Sequence, residues 1–148
     1  MLSGSAKAIV KATTPILEEK GISIASRMYE ILFHRHPELQ ALFANTHQEQ
    51  PTILAQAIIV YCQNIENLDS FTQAIALTKA VDKISSAHVK AQVKAEHYPL
   101  VGEALLQAMQ ELLGAEATPE VLAGWQEAYE YLATLLIRVE SEKYAKLT

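Results

Sequence analysis

Apolar residues in this chain recur at intervals of three and four along almost its entire length, and the pairs that close tight hairpins, Asn-Gly and Asp-Gly, do not occur. That interval is the spacing of one helical face, so the chain is restricted to an all-α architecture. Met1 to Lys20 reads as a first helix, kinked at Pro15 and capped by Gly21. A second helix follows from Ile22 to Arg35, with Ile22, Ala25, Tyr29, Leu32 and Phe33 on its inward face. Pro37 opens a short helix ending near Phe43, and the polar stretch Ala44 to Glu49 reads as a loop. A long helix starts at about Pro51; its inward face runs Leu54, Ala57, Ile58, Tyr61 and Ile65, with Gln50 at its head. After a break over Asn64 to Asp69, Ser70 to about Val93 is helical again. Pro99 opens the next helix and Gly114 ends it, while Thr118-Pro119 caps a last helix that runs to about Lys146, on the order of 40 Å.

With 148 residues, 50% of them hydrophobic and 20% charged, the chain suits one globular domain, residues 1–148, with a sizeable core. A formal charge of −5 argues against nucleic acid or an anionic membrane surface as partner. Cys62 is the single cysteine, which excludes an intramolecular disulfide and leaves too few thiolates for an iron-sulfur cluster. Met1 to Ser5 leads into a polar amphipathic segment rather than a signal-peptide core, and no run reaches the roughly 18 apolar residues of a membrane span. A cytoplasmic protein is expected. There is no CxxC, HExxH, EF-hand loop, glycine-rich phosphate loop or GxSxG elbow.

Five polar groups nevertheless stand on apolar stripes: Tyr29, Gln50, His88, Tyr98 and Glu140. Val81, Ile84 and His88 are spaced i, i+3, i+7, so an imidazole sits where a leucine would pack better. Tyr98 lines up with Val101, Leu105, Ala108 and Leu112, and Glu140 follows Trp125, Tyr129, Leu132 and Leu136 on one face. A buried imidazole commonly ligates a metal with its lone pair while an acceptor holds its N–H; the alternative is a satisfied core histidine. Each of the others, taken singly, can be an ordinary bundle residue. Five unpaired polar groups would cost about 1–3 kcal/mol each, so a shared ligand or network is the cheaper arrangement. His34 and His36 face different sides of a helix and His47 lies in a polar loop, so these three read as solvated.

Particular fragments go further: Tyr29-Glu-Ile-Leu-Phe33, His36-Pro37-Glu38 with Phe43, Gln50-Pro51, Gln63-Asn-Ile-Glu-Asn-Leu68, and His97-Tyr98-Pro99-Leu-Val-Gly102 beginning nine residues after His88. In this order and spacing they resemble the single-domain bacterial haemoglobins and the globin domains of flavohaemoglobins, across essentially the whole chain. The resemblance implies a globin fold around haem b, with His88 as the proximal ligand of its iron. Phe43 would stack on the porphyrin, Tyr29 and Gln50 would form the distal polar pair, and Leu54 would stand over the iron. Tyr98 and Glu140 match the proximal pair that holds the histidine. O2, NO and CO are the implied ligands, and the implied reaction is oxidation of nitric oxide to nitrate by the oxygenated protein. Because the chain stops just after the last globin helix, electrons are expected from a separate flavin or NAD(P)H reductase.

Two positions depart from the pattern. Ala87 stands where many relatives have a lysine able to meet a haem propionate, and Gln92-Val93 stands where they have Gly-Val. The loop between Phe43 and Gln50 is also shorter than in some relatives. The competing classes are a non-enzymatic oxygen carrier, store or gas sensor on the same fold, and a cofactor-free helical interaction module. A monomer and a homodimer are both compatible with the sequence.

Overall fold

The computed structural model describes residues 2–43, 50–63, 65 and 71–147, and among these there is no β-strand. Among the described residues five α-helices follow in order: α1 (Gly4–Arg35), α2 (Gln50–Gln63), α3 (Phe71–Lys90), α4 (Tyr98–Leu113) and α5 (Pro119–Lys146). Short 3₁₀ helices at Pro37–Phe43, Ala95–His97 and Gly114–Glu116 join them. Among the described residues no helix is long and apolar enough to cross a membrane.

The expected division at Gly21 does not occur, because α1 runs unbroken through both Pro15 and Gly21. Around the proline, the Thr13 hydroxyl bonds the carbonyls of Ile9 and Val10 at 2.9 and 3.2 Å, and Thr14 bonds that of Val10 at 2.8 Å. Thr13 also accepts from the indole Nε1 of Trp125 at 2.8 Å, which ties the proline turn to α5. Gly21 lies where α2 crosses α1, opposite Ala55 and Ile59. Burial on both sides of the crossing outweighs the helix penalty of one glycine, about 1 kcal/mol. The buried stripe of α1 passes through Ile24, Ala25, Met28, Ile31 and Leu32; Ile22 lies off it and is 54% exposed, against expectation.

The main core joins α1, α2, α4 and α5 through Val10, Leu17, Met28, Leu32, Tyr61, Met109 and Trp125. A second, smaller apolar cluster of Val81, Tyr98, Ala133 and Leu136 holds α3 to α4 and α5. Among the described residues α3 packs along α5 and makes no more than marginal contact with α1 and α2.

Caps set the ends. Ser3 Oγ accepts from the Ala6 amide at 3.1 Å, and Ser3 donates twice to Glu127, from its amide at 2.6 Å and its hydroxyl at 2.9 Å, clasping the N-terminus to α5. Thr118 caps α5 as expected, accepting from the Val121 amide. The helix carrying His88 stops at Lys90 rather than near Val93, because Gln92 turns left-handed at φ 67°.

Gly102 allows α4 and α5 to meet. A Cβ there would come within 2.8 Å of the Tyr129 ring, whose hydroxyl donates to the Tyr98 carbonyl at 2.7 Å. Gly102→Ala is therefore expected to destabilise the fold by about 1–3 kcal/mol, measured as a lower urea midpoint at unchanged slope.

Candidate functional site

His88 occupies the last turn of α3, on the face that also carries Val81, Ile84 and the fully buried Ser85. After the left-handed residue Gln92 the chain passes through the 3₁₀ turn, in which the Lys94 amide donates to His97 Nδ1 at 2.9 Å. His97 therefore closes a turn, and the residue that the turn delivers inward is Tyr98, 7% exposed at the start of α4. Glu140 arrives from α5 and is 3% exposed.

These three side chains meet. His88 Nδ1 lies 3.0 Å from the Tyr98 hydroxyl and 3.0 Å from Glu140 Oε2. The Tyr98 hydroxyl is 2.8 and 2.7 Å from the two carboxylate oxygens. The carboxylate can only accept, so Tyr98 spends its single proton on Glu140, and both contacts at Nδ1 require that nitrogen to be the donor. The ring is thereby fixed as the Nδ1–H tautomer, with the lone pair on Nε2. Among the described residues Nε2 has no hydrogen-bond partner.

Burial, then the hydrogen bond to Glu140, pushes the Tyr98 phenol well above its ordinary range, and burial and the same carboxylate do so for Tyr129. Tyr98 thus stays a neutral donor to the carboxylate.

A second group lies on α1 and the following 3₁₀ helix. Tyr29, Phe33 and Phe43 pack as an aromatic trio, with ring centroids 5.8 Å apart for Tyr29–Phe33, 5.4 Å for Tyr29–Phe43 and 5.2 Å for Phe33–Phe43. Tyr29 and Leu54 are half-buried against the main core. Gln50 is the first residue of α2, but its side chain, like all of His47, lies outside the described residues. His34 is exposed, and His36 is half-buried 3.5 Å from Glu38.

Among the described residues no three His, Cys, Asp or Glu side chains come together to hold a metal ion. The donor set suits instead a metal that brings its other ligands with it and takes one imidazole from the protein. The two apolar clusters seen among the described residues, with the half-buried side chains Tyr29, Phe43, Leu54 and Ile84, suit a large flat apolar group. An iron porphyrin fits both descriptions.

Residue periodicity alone does not show Lys143, whose Nζ bonds the Asp82 carboxylate at 2.8 Å, the Asp82 carbonyl at 3.0 Å and Ser86 Oγ at 2.6 Å. Nor does it show that the Tyr144 hydroxyl donates to the Val93 carbonyl at 2.6 Å. Tyr129 and Tyr144 do share the face of Glu140, a signal that spacing could have carried further.

Buried acids give the protein an alkaline limit. Tyr61, Tyr98 and Cys62 are 4%, 7% and 3% exposed, and burial raises all three, the thiol to about 12. The unfolded chain gives up these protons from about 9.0 for the thiol and 10.0 for the phenols, while the folded chain retains them. Stability is therefore full below pH 9 and falls above it, by about 1.4 kcal/mol per pH unit for each group that titrates. Urea unfolding at successive alkaline pH values should show this decline steepening above pH 10.

Comparison with known proteins gives the arrangement a context. A globin-like protein of Aquifex aeolicus, itself uncharacterized, is 44% identical over 146 residues, covering 99% of both chains. The flavohemoprotein of Halalkalibacterium halodurans is 43% identical over 146 residues; the match covers 97% of this chain but 34% of that protein. The chain thus spans about a third of the length of that flavohemoprotein. Among solved structures, an engineered carbene transferase built on a nominal nitric oxide dioxygenase of Rhodothermus marinus superposes with a TM-score of 0.92 at 37% identity, covering 99% of both chains. The globin family profile matches residues 26–136, three-quarters of the sequence, and the chain belongs to the globin family.

Proposed function

We propose that this chain is a haem b protein that binds O2 reversibly on the iron, with His88 as the protein's ligand to the metal. We further propose that, supplied with electrons by a separate reductase, it oxidises nitric oxide to nitrate. The observation that carries this reading is the His88 imidazole, held at Nδ1 by both Tyr98 and Glu140 and presenting Nε2 with no partner among the described residues.

Bound haem would supply the gas-binding iron and its one-electron chemistry; the rest falls to the side chains. Glu140 accepts from Nδ1–H, which gives the imidazole part of the character of an imidazolate and makes Nε2 a stronger donor. Tyr98, donating to Glu140, keeps that carboxylate aimed at the ring. Such a basic ligand favours redox chemistry of the bound gas over simple release. On the other side the Tyr29 hydroxyl would donate to negative charge developing on oxygen, with Gln50 as its companion donor. Phe43 and Leu54 would wall out water, and Phe43 would lie against the porphyrin plane. Overall NO, O2 and one electron give the nitrate anion, so a donor is stoichiometric. The length and name of the flavohemoproteins, 34–36% of which this chain matches, support a flavin-dependent reductase in that role.

The test is spectroscopic and then kinetic. Purified protein reconstituted with haem should give a Soret band and, when ferrous, an iron–histidine stretching band; absence of both would end the haem reading. With a flavin reductase and NADH present, aerobic nitric oxide should disappear with stoichiometric nitrate over many turnovers. A single turnover that does not accelerate with reductase would make the protein a carrier or store.

A further inference from the structure

The segment just beyond His88 ends in a conformation its sequence does not favour. Gln92 has φ 67°, a left-handed backbone in which a side chain crowds the following carbonyl and which glycine adopts freely. Three hydrogen bonds close the turn: Ala91 amide to Ala87 carbonyl at 3.0 Å, Gln92 amide to Val89 carbonyl at 3.1 Å, and Val93 amide to His88 carbonyl at 2.9 Å. The last makes His88's own backbone the anchor of the reversal. Anything that displaces Val93 is felt at His88.

From α5, Tyr144 donates its hydroxyl to the Val93 carbonyl at 2.6 Å, and Lys94 Nζ lies 4.3 Å over the Tyr144 ring. Tyr144 is four residues, one helical turn, beyond Glu140. The same edge of α5 therefore grips His88 at two points. Glu140 holds the ring at Nδ1, and Tyr144 holds the backbone through Val93. Neighbouring Lys143 fixes the preceding turn of α3 at Asp82 and Ser86, so Tyr144 closes the far side of a clamp whose near side is already fastened.

We infer that Tyr144 is a positioning residue for His88: its hydroxyl holds the left-handed turn at Gln92 closed, and so sets the angle at which Nε2 is presented to the iron. The inference rests on the reading of His88 as iron ligand. Without the latch, Gln92 relaxes toward ordinary right-handed backbone, the Val93-to-His88 hydrogen bond lengthens, and the imidazole rotates against its Glu140 contact. A glycine at position 92 has no such tendency, so the need for the latch disappears with the glutamine side chain.

The experiment uses the full chain loaded with haem and compares wild type, Y144F, Q92G and Y144F/Q92G. In the ferrous state Y144F should broaden the iron–histidine stretching band and move it to lower frequency, and haem transfer to an excess of a haem-free acceptor globin should speed up by roughly 5- to 10-fold, as expected for loss of one part-buried hydrogen bond. Q92G alone should leave the band in place, and Y144F/Q92G should return both readouts toward wild type. A Y144F protein with lowered thermal stability but an unmoved band would overturn the inference, because a purely structural contact gives that result. Failure of Q92G to restore the double variant would overturn it too, by removing the strained turn from the account. If wild type itself shows no iron–histidine band, the ligand reading fails, which is a separate result.

Discussion

His88→Ala is expected to abolish the iron–histidine band and to lower haem affinity by at least about 100-fold, since on the proposed reading it removes the imidazole that would ligate the metal. Added imidazole should restore a five-coordinate ferrous spectrum in part, because the variant leaves room for a ring of that size. The change should also cost stability in the absence of haem. Glu140 is 3% exposed and accepts from both His88 and Tyr98; removing the imidazole deprives a buried carboxylate of one of two partners, at a cost of about 1–3 kcal/mol. Retention of a normal proximal spectrum by His88→Ala would show that another residue binds the iron. Unchanged stability of the haem-free variant would show that the triad does not hold the fold.

Tyr29→Phe carries the second large effect. It removes a hydroxyl and keeps the ring, so the ring contacts with Phe33 and Phe43 survive. Oxygen release from the ferrous protein should accelerate by roughly 10- to 100-fold, the equivalent of losing a hydrogen bond of about 1.5–3 kcal/mol to a partly charged acceptor. Carbon monoxide, which carries little negative charge when bound, is the control and should leave at nearly its original rate. Stopped-flow measurement of both gases separates the cases. Equal acceleration of the two would point to a steric change, and no acceleration of either would mean that the phenol does not reach the ligand.

Much of this architecture is legible in the residue pattern, for a physical reason. Helices packed through one face must repeat their apolar residues at three and four, and that repeat leaves His88, Tyr98 and Glu140 conspicuous on stripes where nothing polar belongs. Local signals misled where packing overruled them. Gly21 reads as a cap, yet α1 continues through it because its buried stripe extends past it. The end of α3 falls short of Val93 for the opposite reason: a left-handed residue that is not glycine leaves no trace in composition. Invisible as well were the contacts of Lys143 and Tyr144, which reach 51 to 61 residues back along the chain and, in part, to backbone carbonyls, whose positions no residue type reveals.

The division of the apolar core into two clusters bears on how this molecule is assembled. Four helices share the larger cluster and can become ordered as a body by themselves, whereas among the described residues α3 leans on α5 and on the start of α4. In the haem-free chain α3 should open as a unit of its own, its amides exchanging with deuterium well before those of α1. Ordering of that helix would then await the cofactor, and the last step of maturation would be the docking of a hinged wall onto a finished frame.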